Sequence, residues 1–445
     1  MQALREFFAG RRALLGFWIL LCVVALLLTA RLSVFMFDPA QTSFSLVPND
    51  GFMRRHSCLS AYVAAGDRLG EPGARIYDAA SYERTAEDAT RRIPLHGLEQ
   101  DVYEYPPPFL LIPKALLLVS HDFRVLRAIW FVAMTAFLLG AMALTASWIG
   151  GRRGLSSALL IPFVWAAFPG LLTIQTGNIQ MVIITAALVS MVAFEAGRPA
   201  AGGALLAFAV GTKLYPGVLL IVLVAQRRFR EVAWTAGFGL LYCGGILAIA
   251  GPAPFAEFFS YQLPRLLSGE AFAFFKDDIR AVMVNLTFFG LPYKLEGVGL
   301  ALDPDRLAPL VSRLYTASLI AITAVIAWKR PTPAPAADPD ERAARGLVWL
   351  ALLNLAVLTS PFAPPYAVLG TIWLLTLWAP AWHGFRRAAV LFAAGWIGLN
   401  ALIPEPLPAT MASGFVMQVV NFSINVAVLL LVAGRRPAPI EATSG

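Results

Sequence analysis

Charge is scarce in this chain. Lysine and arginine number 35 and aspartate and glutamate 27, together 14% of 445 residues. A soluble domain of this length carries roughly a quarter charged residues on average, so a water-facing surface cannot be built from this composition. Cysteine is rarer still, with Cys22, Cys58 and Cys243 far apart and two of them inside apolar runs. That spacing argues against a disulfide framework or a sequence-encoded zinc site. Strict alternation of polar and apolar residues is also missing, which argues against a β-barrel. No polar stretch is long enough for a soluble α/β nucleotide-sugar domain.

What the chain has instead is apolar sequence, 58% of its residues. The apolar runs recur at membrane-spanning length, about 20 residues each. In lipid the backbone must satisfy its own hydrogen bonds, so these runs are predicted to be helices. We read twelve, over about 14–32, 107–121, 127–148, 155–172, 178–196, 201–225, 232–250, 308–328, 346–361, 365–381, 387–404 and 414–434. The first is too long for a signal-peptide core and is read as an uncleaved span. The fold class is an all-α polytopic membrane protein forming a single membrane domain over 1–445.

The net charge of +8 does not point to nucleic acid, because the basic residues stand in short clusters beside apolar runs. They act as topology signals. Arg5, Arg11 and Arg12 place the N-terminus in the cytoplasm; Arg227, Arg228 and Arg230, then Arg386 and Arg387, then Arg435 and Arg436 mark later cytoplasmic positions. Two long outer loops follow, 34–105 and 251–306, with a basic, proline-rich cytoplasmic linker at 329–345. Leu59–Leu69 and Ala79–Arg91 are candidate short interfacial helices in the first loop. Arg152 and Arg153 fall outside on this count, against the tendency, so 107–121 is re-entrant or a neighbouring run does not cross fully. No internal repeat is visible.

Several residues can carry chemistry. The first outer loop holds Asp50, Asp101 and Glu104, any of which can serve as a general base on a hydroxyl. Arg54, Arg55 and His56 form a cationic patch suited to a phosphate or to a lipid headgroup. Lys213 lies inside an apolar stretch, in Gly211-Thr212-Lys213-Leu214-Tyr215-Pro216. An intramembrane lysine costs about 2.5–3.5 kcal/mol, so it is expected to face a cavity or a partner. Pro216 loosens the helix there. Thr176-Gly177-Asn178-Ile179-Gln180 is a polar break between apolar runs, and Lys276-Asp277-Asp278-Ile279-Arg280 with Asn285 is the charged part of the second loop.

Tyr105-Pro106-Pro107-Pro108, Gly177-Asn178-x-Gln180 and Lys213-Leu214-Tyr215-Pro216 occur in order, preceded by His56-Ser57-Cys58-Leu59-Ser60-Ala61-Tyr62 and Ile76-Tyr77-Asp78. Over about residues 14–370 this set resembles glycosyltransferase family 87, which includes polyprenol-phosphate-mannose-dependent α-1,2-mannosyltransferases. The resemblance implies the GT-C membrane fold and a catalytic aspartate in the first outer loop. It also implies a polyprenyl-phosphate sugar donor (mannose the first choice), a lipid or glycan acceptor, and a bacterial inner-membrane protein with its site on the extracytoplasmic face. Two departures stand out. Ser57 occupies the place where relatives often carry the loop aspartate, and Ser360-Pro361-Phe362-Ala363-Pro364-Pro365-Tyr366 lacks the histidine of a related late motif.

The expected catalytic group is therefore Asp50, with Asp101 and His56 as alternatives. Lys213, Arg54, Arg55, Glu104, Tyr105, Asn178, Gln180 and Tyr215 are expected to bind substrate. No cofactor is implied, although a paired-acid site would admit a divalent metal. The rivals are a transporter or lipid flippase, which predicts ionisable residues along a midplane path, and a non-catalytic scaffold, which leaves Lys213 unexplained.

Overall fold

In the computed structural model the described residues are 8, 12–82, 93–329, 338–381, 385–403 and 405–433. Among them every regular element is a helix. Arg5, Arg11, Arg435 and Arg436, the side chain of Arg386, and most of the expected 79–91 helix lie outside the described residues; of the last, only a 3-10 turn at Ala79–Tyr82 is described.

Five helices are long and apolar enough to cross a membrane: Arg12–Phe37, Phe123–Ile149, Phe229–Ala250, Pro304–Lys329 and Leu407–Val432. At 1.5 Å per residue, each exceeds the roughly 30 Å of a hydrocarbon core. A sixth candidate is the pair Gly151–Trp165 and Phe168–Thr176, bent by 64°. The bend falls where Ala167 is extended and caps the second helix, and Pro169 is accommodated in that helix's first turn, where a missing backbone donor breaks no intrahelical bond.

Two expected spans are corrected. The run 107–121 holds only a 3-10 turn, Pro107–Leu110, and a seven-residue helix, Leu111–Leu117. That is roughly 16 Å of helix, half a crossing. It is braced by the first-loop helix Cys58–Arg68: an added Cβ at Gly66 would stand 3.0 Å from Pro113 Cβ, and Lys114 Nζ donates to Leu69 O over 3.0 Å.

The run 201–225 is not one span but a hairpin. Its two ends lie together: Arg198 N donates to Ala193 O (2.9 Å), and Arg228 Nη1 donates to Glu195 Oε1 (2.7 Å). Its middle, Lys213, reaches Gln180 at the opposite end of the helix Gln180–Glu195, over 2.7 Å. Pro199–Thr212 therefore runs one way and Val218–Ala225 returns. The turn forms because Lys213 is extended (φ −140°, ψ 135°) and Pro216 has no backbone donor to continue the helix.

These corrections explain the misplaced arginines. Arg153 pairs with Asp340 at 2.6 Å, and Gly151 packs on Pro339. The same end of the bundle gathers Glu195 between Arg228 and Arg345, with Glu341 also on Arg345. Arg152 and Arg153 thus sit with the other basic turns, as charge asymmetry requires.

Candidate active site

The opposite end of the bundle opens into a cavity of about 1640 Å³. Small-molecule pockets typically run to about 300–1,000 Å³, so there is room for two substrates. Both long loops, 34–105 and 251–306, contribute walls. Glu257 joins them: its carboxylate accepts Ile76 N (2.8 Å) and Tyr77 N (3.0 Å). Tyr77 OH then donates to Tyr105 O over 2.9 Å, which fixes Tyr105 in the cavity wall.

Lys213 lines this cavity from the hairpin tip. Its Nζ donates to Gln180 Oε1, and it lies 5.1 Å from the centre of the Tyr105 ring. Gln180 Nε2 in turn donates to Tyr215 OH over 3.1 Å. Lys213 makes no salt bridge among the described residues, so its partners are neutral and leave the charge for an anion.

The polar break at 176–180 is a structural joint. Gly177 ends the preceding helix at φ +68°, and Trp130 Nε1 donates to its carbonyl over 2.9 Å. Asn178, 3% exposed, then donates to Tyr366 OH at 2.9 Å and faces Cys58 Sγ at 3.3 Å. Tyr62 OH donates to Tyr105 OH over 2.9 Å and accepts from Ile179 N at 3.3 Å. Tyr62 and Tyr366 lie far apart in the sequence, which gives no sign that both reach the 178–179 joint.

The acidic candidates separate by environment. Asp50 lines the cavity, but its Oδ1 accepts Met53 N over 2.8 Å as the cap of the short helix Gly51–Arg55. Asp101 and Glu104 line it too, and of the two Glu104 is the one that feels the Lys213 charge. Burial raises the Asp101 carboxyl above its usual range, with the nearby His56 opposing. Burial and the neighbouring Asp101 push Glu104 up to about 8, against the pull of Lys213 and Arg265. Asp101 Oδ2 stands 3.8 Å from His56 Nδ1, and burial lowers the imidazole below its ordinary value. His56 is held flat against Phe52, ring centres 4.3 Å apart.

Arg54 and Arg55 do not line the cavity. Arg55 pairs with Glu99 at 3.0 Å, both more than half exposed, which is worth little. The cations on the wall besides Lys213 are Arg265, Arg280 and Arg313. In the second loop Asp278 and Arg280 reach the wall, while Lys276 bonds Asp305 and Asn285 is wholly buried on Pro361 O (3.0 Å).

The chain is 26% identical over 367 residues to a polyprenol-phosphate-mannose-dependent α-(1-2)-phosphatidylinositol pentamannoside mannosyltransferase of Mycolicibacterium smegmatis (strain ATCC 700084 / mc(2)155). The match covers 80% of this chain and 77% of that one. No solved structure matches. The sequence model of glycosyltransferase family 87 matches residues 103–361, a stretch holding Glu104, Tyr105, the Asn178 joint and Lys213. The chain belongs to glycosyltransferase family 87, and it is a glycosyltransferase.

Proposed function

We propose that this enzyme transfers a single sugar, mannose by preference, from a polyprenyl-phosphate donor to a lipid or glycan acceptor. The reaction takes place at the extracytoplasmic face of a bacterial inner membrane. The observation that carries the reading is Lys213, a lysine with no salt bridge among the described residues, at the tip of a hairpin that shares one cavity with half-buried loop carboxylates. The cited mycobacterial relative supports the donor class.

In this mechanism the acceptor oxygen attacks the anomeric carbon as the bond to the phosphate oxygen breaks, with inversion. The electron pair leaves on the polyprenyl phosphate. Lys213 stabilises that charge, with Tyr215 and Gln180 holding the ammonium in place. The acceptor proton passes to Asp101, oriented beside His56. Asp101 is preferred to Asp50, whose carboxylate is engaged in capping, and to Glu104, which lies on the phosphate side near Lys213. Neutral at pH 7, Glu104 is suited to hydrogen-bond a sugar hydroxyl. In-line attack needs base and leaving group on opposite faces of the sugar, which a base beside the lysine would not provide.

The same reading proposes the GT-C fold with twelve crossings and both ends cytoplasmic. The 107–117 segment is not counted, because Tyr105 before it and Asp122 after it, paired with His96, both stay on the first-loop side; each arm of the 199–225 hairpin joins the Lys213 end of the bundle to the Glu195 end and counts separately.

Purified protein given polyprenyl-phosphate mannose and candidate acceptors should release polyprenyl phosphate and form one glycosidic product. Failure with every donor, together with solute flux in proteoliposomes, would replace this reading with a transporter.

A further inference from the structure

One group of side chains in the cavity has a chemistry that sugar transfer does not require. His56 and Cys58 are two residues apart, and the backbone between them is extended: φ −78°, ψ 134° at His56 and φ −151°, ψ 111° at Ser57. Extended backbone sends alternate side chains to the same side, so imidazole and thiol emerge together. Asp101 approaches from the chain segment leading back to the membrane. One ligand atom from each of the three lies within 4.8 Å of the others.

The spacing is informative. Cys58 Sγ lies 3.4 Å from His56 Nε2. Two ligands on one tetrahedral zinc, at about 2.3 Å for sulfur and 2.0–2.1 Å for nitrogen, stand about 3.5 Å apart. The groups behind them are also ordered. Phe52 stacks on the imidazole, Asn178 Nδ2 faces the sulfur at 3.3 Å, and Asp101 N donates to Ser60 Oγ over 2.9 Å. Partners of this kind orient metal ligands and tune their affinity. His56, Cys58 and Asp101 all line the cavity, so a fourth position faces substrate space.

We infer that His56, Cys58 and Asp101 form a binding site for one borderline-soft divalent cation, with zinc(II) as the type. Coordination forms a metal–sulfur bond and releases the thiol proton to solvent. The bound ion occupies the carboxylate proposed as the proton acceptor and the imidazole that orients it, so it shuts transfer off reversibly. Metal binding itself does not depend on the glycosyltransfer reading; only its inhibitory consequence does.

The test uses full-length protein in detergent, titrated with cobalt(II) as the spectroscopic probe. One equivalent should give the intense visible bands of a tetrahedral centre and a sulfur-to-cobalt charge-transfer band, both displaced by zinc(II). The bands should survive replacement of Cys22 and Cys243 by serine, vanish in Cys58→Ser, and need at least roughly tenfold more cobalt in His56→Gln. Weak octahedral bands alone in the wild type, or a charge-transfer band that persists in Cys58→Ser, would overturn the site. The wild-type spectrum decides even if a variant does not fold. A second arm measures sugar transfer with zinc(II) and then with chelator. Loss and recovery of activity support the inhibitory role. Binding with full activity removes that role and, with it, Asp101 and His56 as the proton acceptor.

Discussion

Lys213 and Gln180 meet head to head: the ammonium of a hairpin tip donates over 2.7 Å to the first side chain of the helix Gln180–Glu195. This contact links two motifs 33 residues apart and gives the half-buried lysine a neutral partner instead of a carboxylate.

The first prediction concerns that lysine. Lys213→Met removes the charge while keeping the bulk, and kcat should fall about 10²- to 10³-fold, the usual cost of losing one donor to developing negative charge. Lys213→Arg should recover part of it. Steady-state transfer assays check this, and a kcat within a few-fold of wild type would sink the assignment.

The carboxylates should separate by substitution. Asp101→Asn should lower kcat about 10²- to 10⁴-fold, the range of a lost general base. Asp50→Asn should leave most activity, since asparagine caps a helix as well as aspartate does, whereas Asp50→Ala should cost about 1 kcal/mol of stability. Collapse of activity in Asp50→Asn would restore Asp50 as the base.

Stability should depend on pH through Glu104. Its folded value, pushed up from 4.5 to about 8 by burial, means the folded state holds the proton that the unfolded chain releases. This contribution is fully present below pH 4.5 and is lost as pH rises toward about 8. Glu104→Gln is neutral throughout, so its Tm should fall less than that of wild type across this window. Thermal unfolding in detergent from acid to mildly alkaline pH measures it; parallel curves would contradict the buried, protonated Glu104.

At Gly177 the left-handed φ of +68° and an added Cβ 3.3 Å from the Trp130 ring both oppose substitution. Gly177→Ala should destabilise by about 1–2 kcal/mol and, by shifting Asn178, raise KM. Unchanged Tm and KM would show that the joint tolerates a side chain.

Far from the cavity, Glu195 (7% exposed) holds Arg228 and Arg345. Glu195→Gln should destabilise by about 1.5–3 kcal/mol, because both guanidiniums lose their shared counter-charge while Arg228 keeps Glu231 and Arg345 keeps Glu341. The KM of the remaining folded protein should stay the same, as read from combined Tm and kinetic measurements.

The amino-acid sequence by itself determined the helical membrane character and the family, and it singled out Lys213 as a candidate. Each follows from local facts: the length of apolar runs, ordered motifs, and one charge where lipid tolerates few. It also placed Asp101, Glu104, Tyr105 and Asn178 among the candidates. Tertiary structure alone decided that 199–225 doubles back, that 107–117 begins and ends on the first-loop side, and that Arg54 and Arg55 stay off the cavity wall. Helices such as Gln180–Glu195 are apolar on nearly every side, so their periodicity carries no direction and does not say which ends meet. The grouping of His56, Cys58 and Asp101 was hidden for the same reason: Asp101 arrives only because Glu257, Tyr77 and Tyr105 fold the outer loops onto one another.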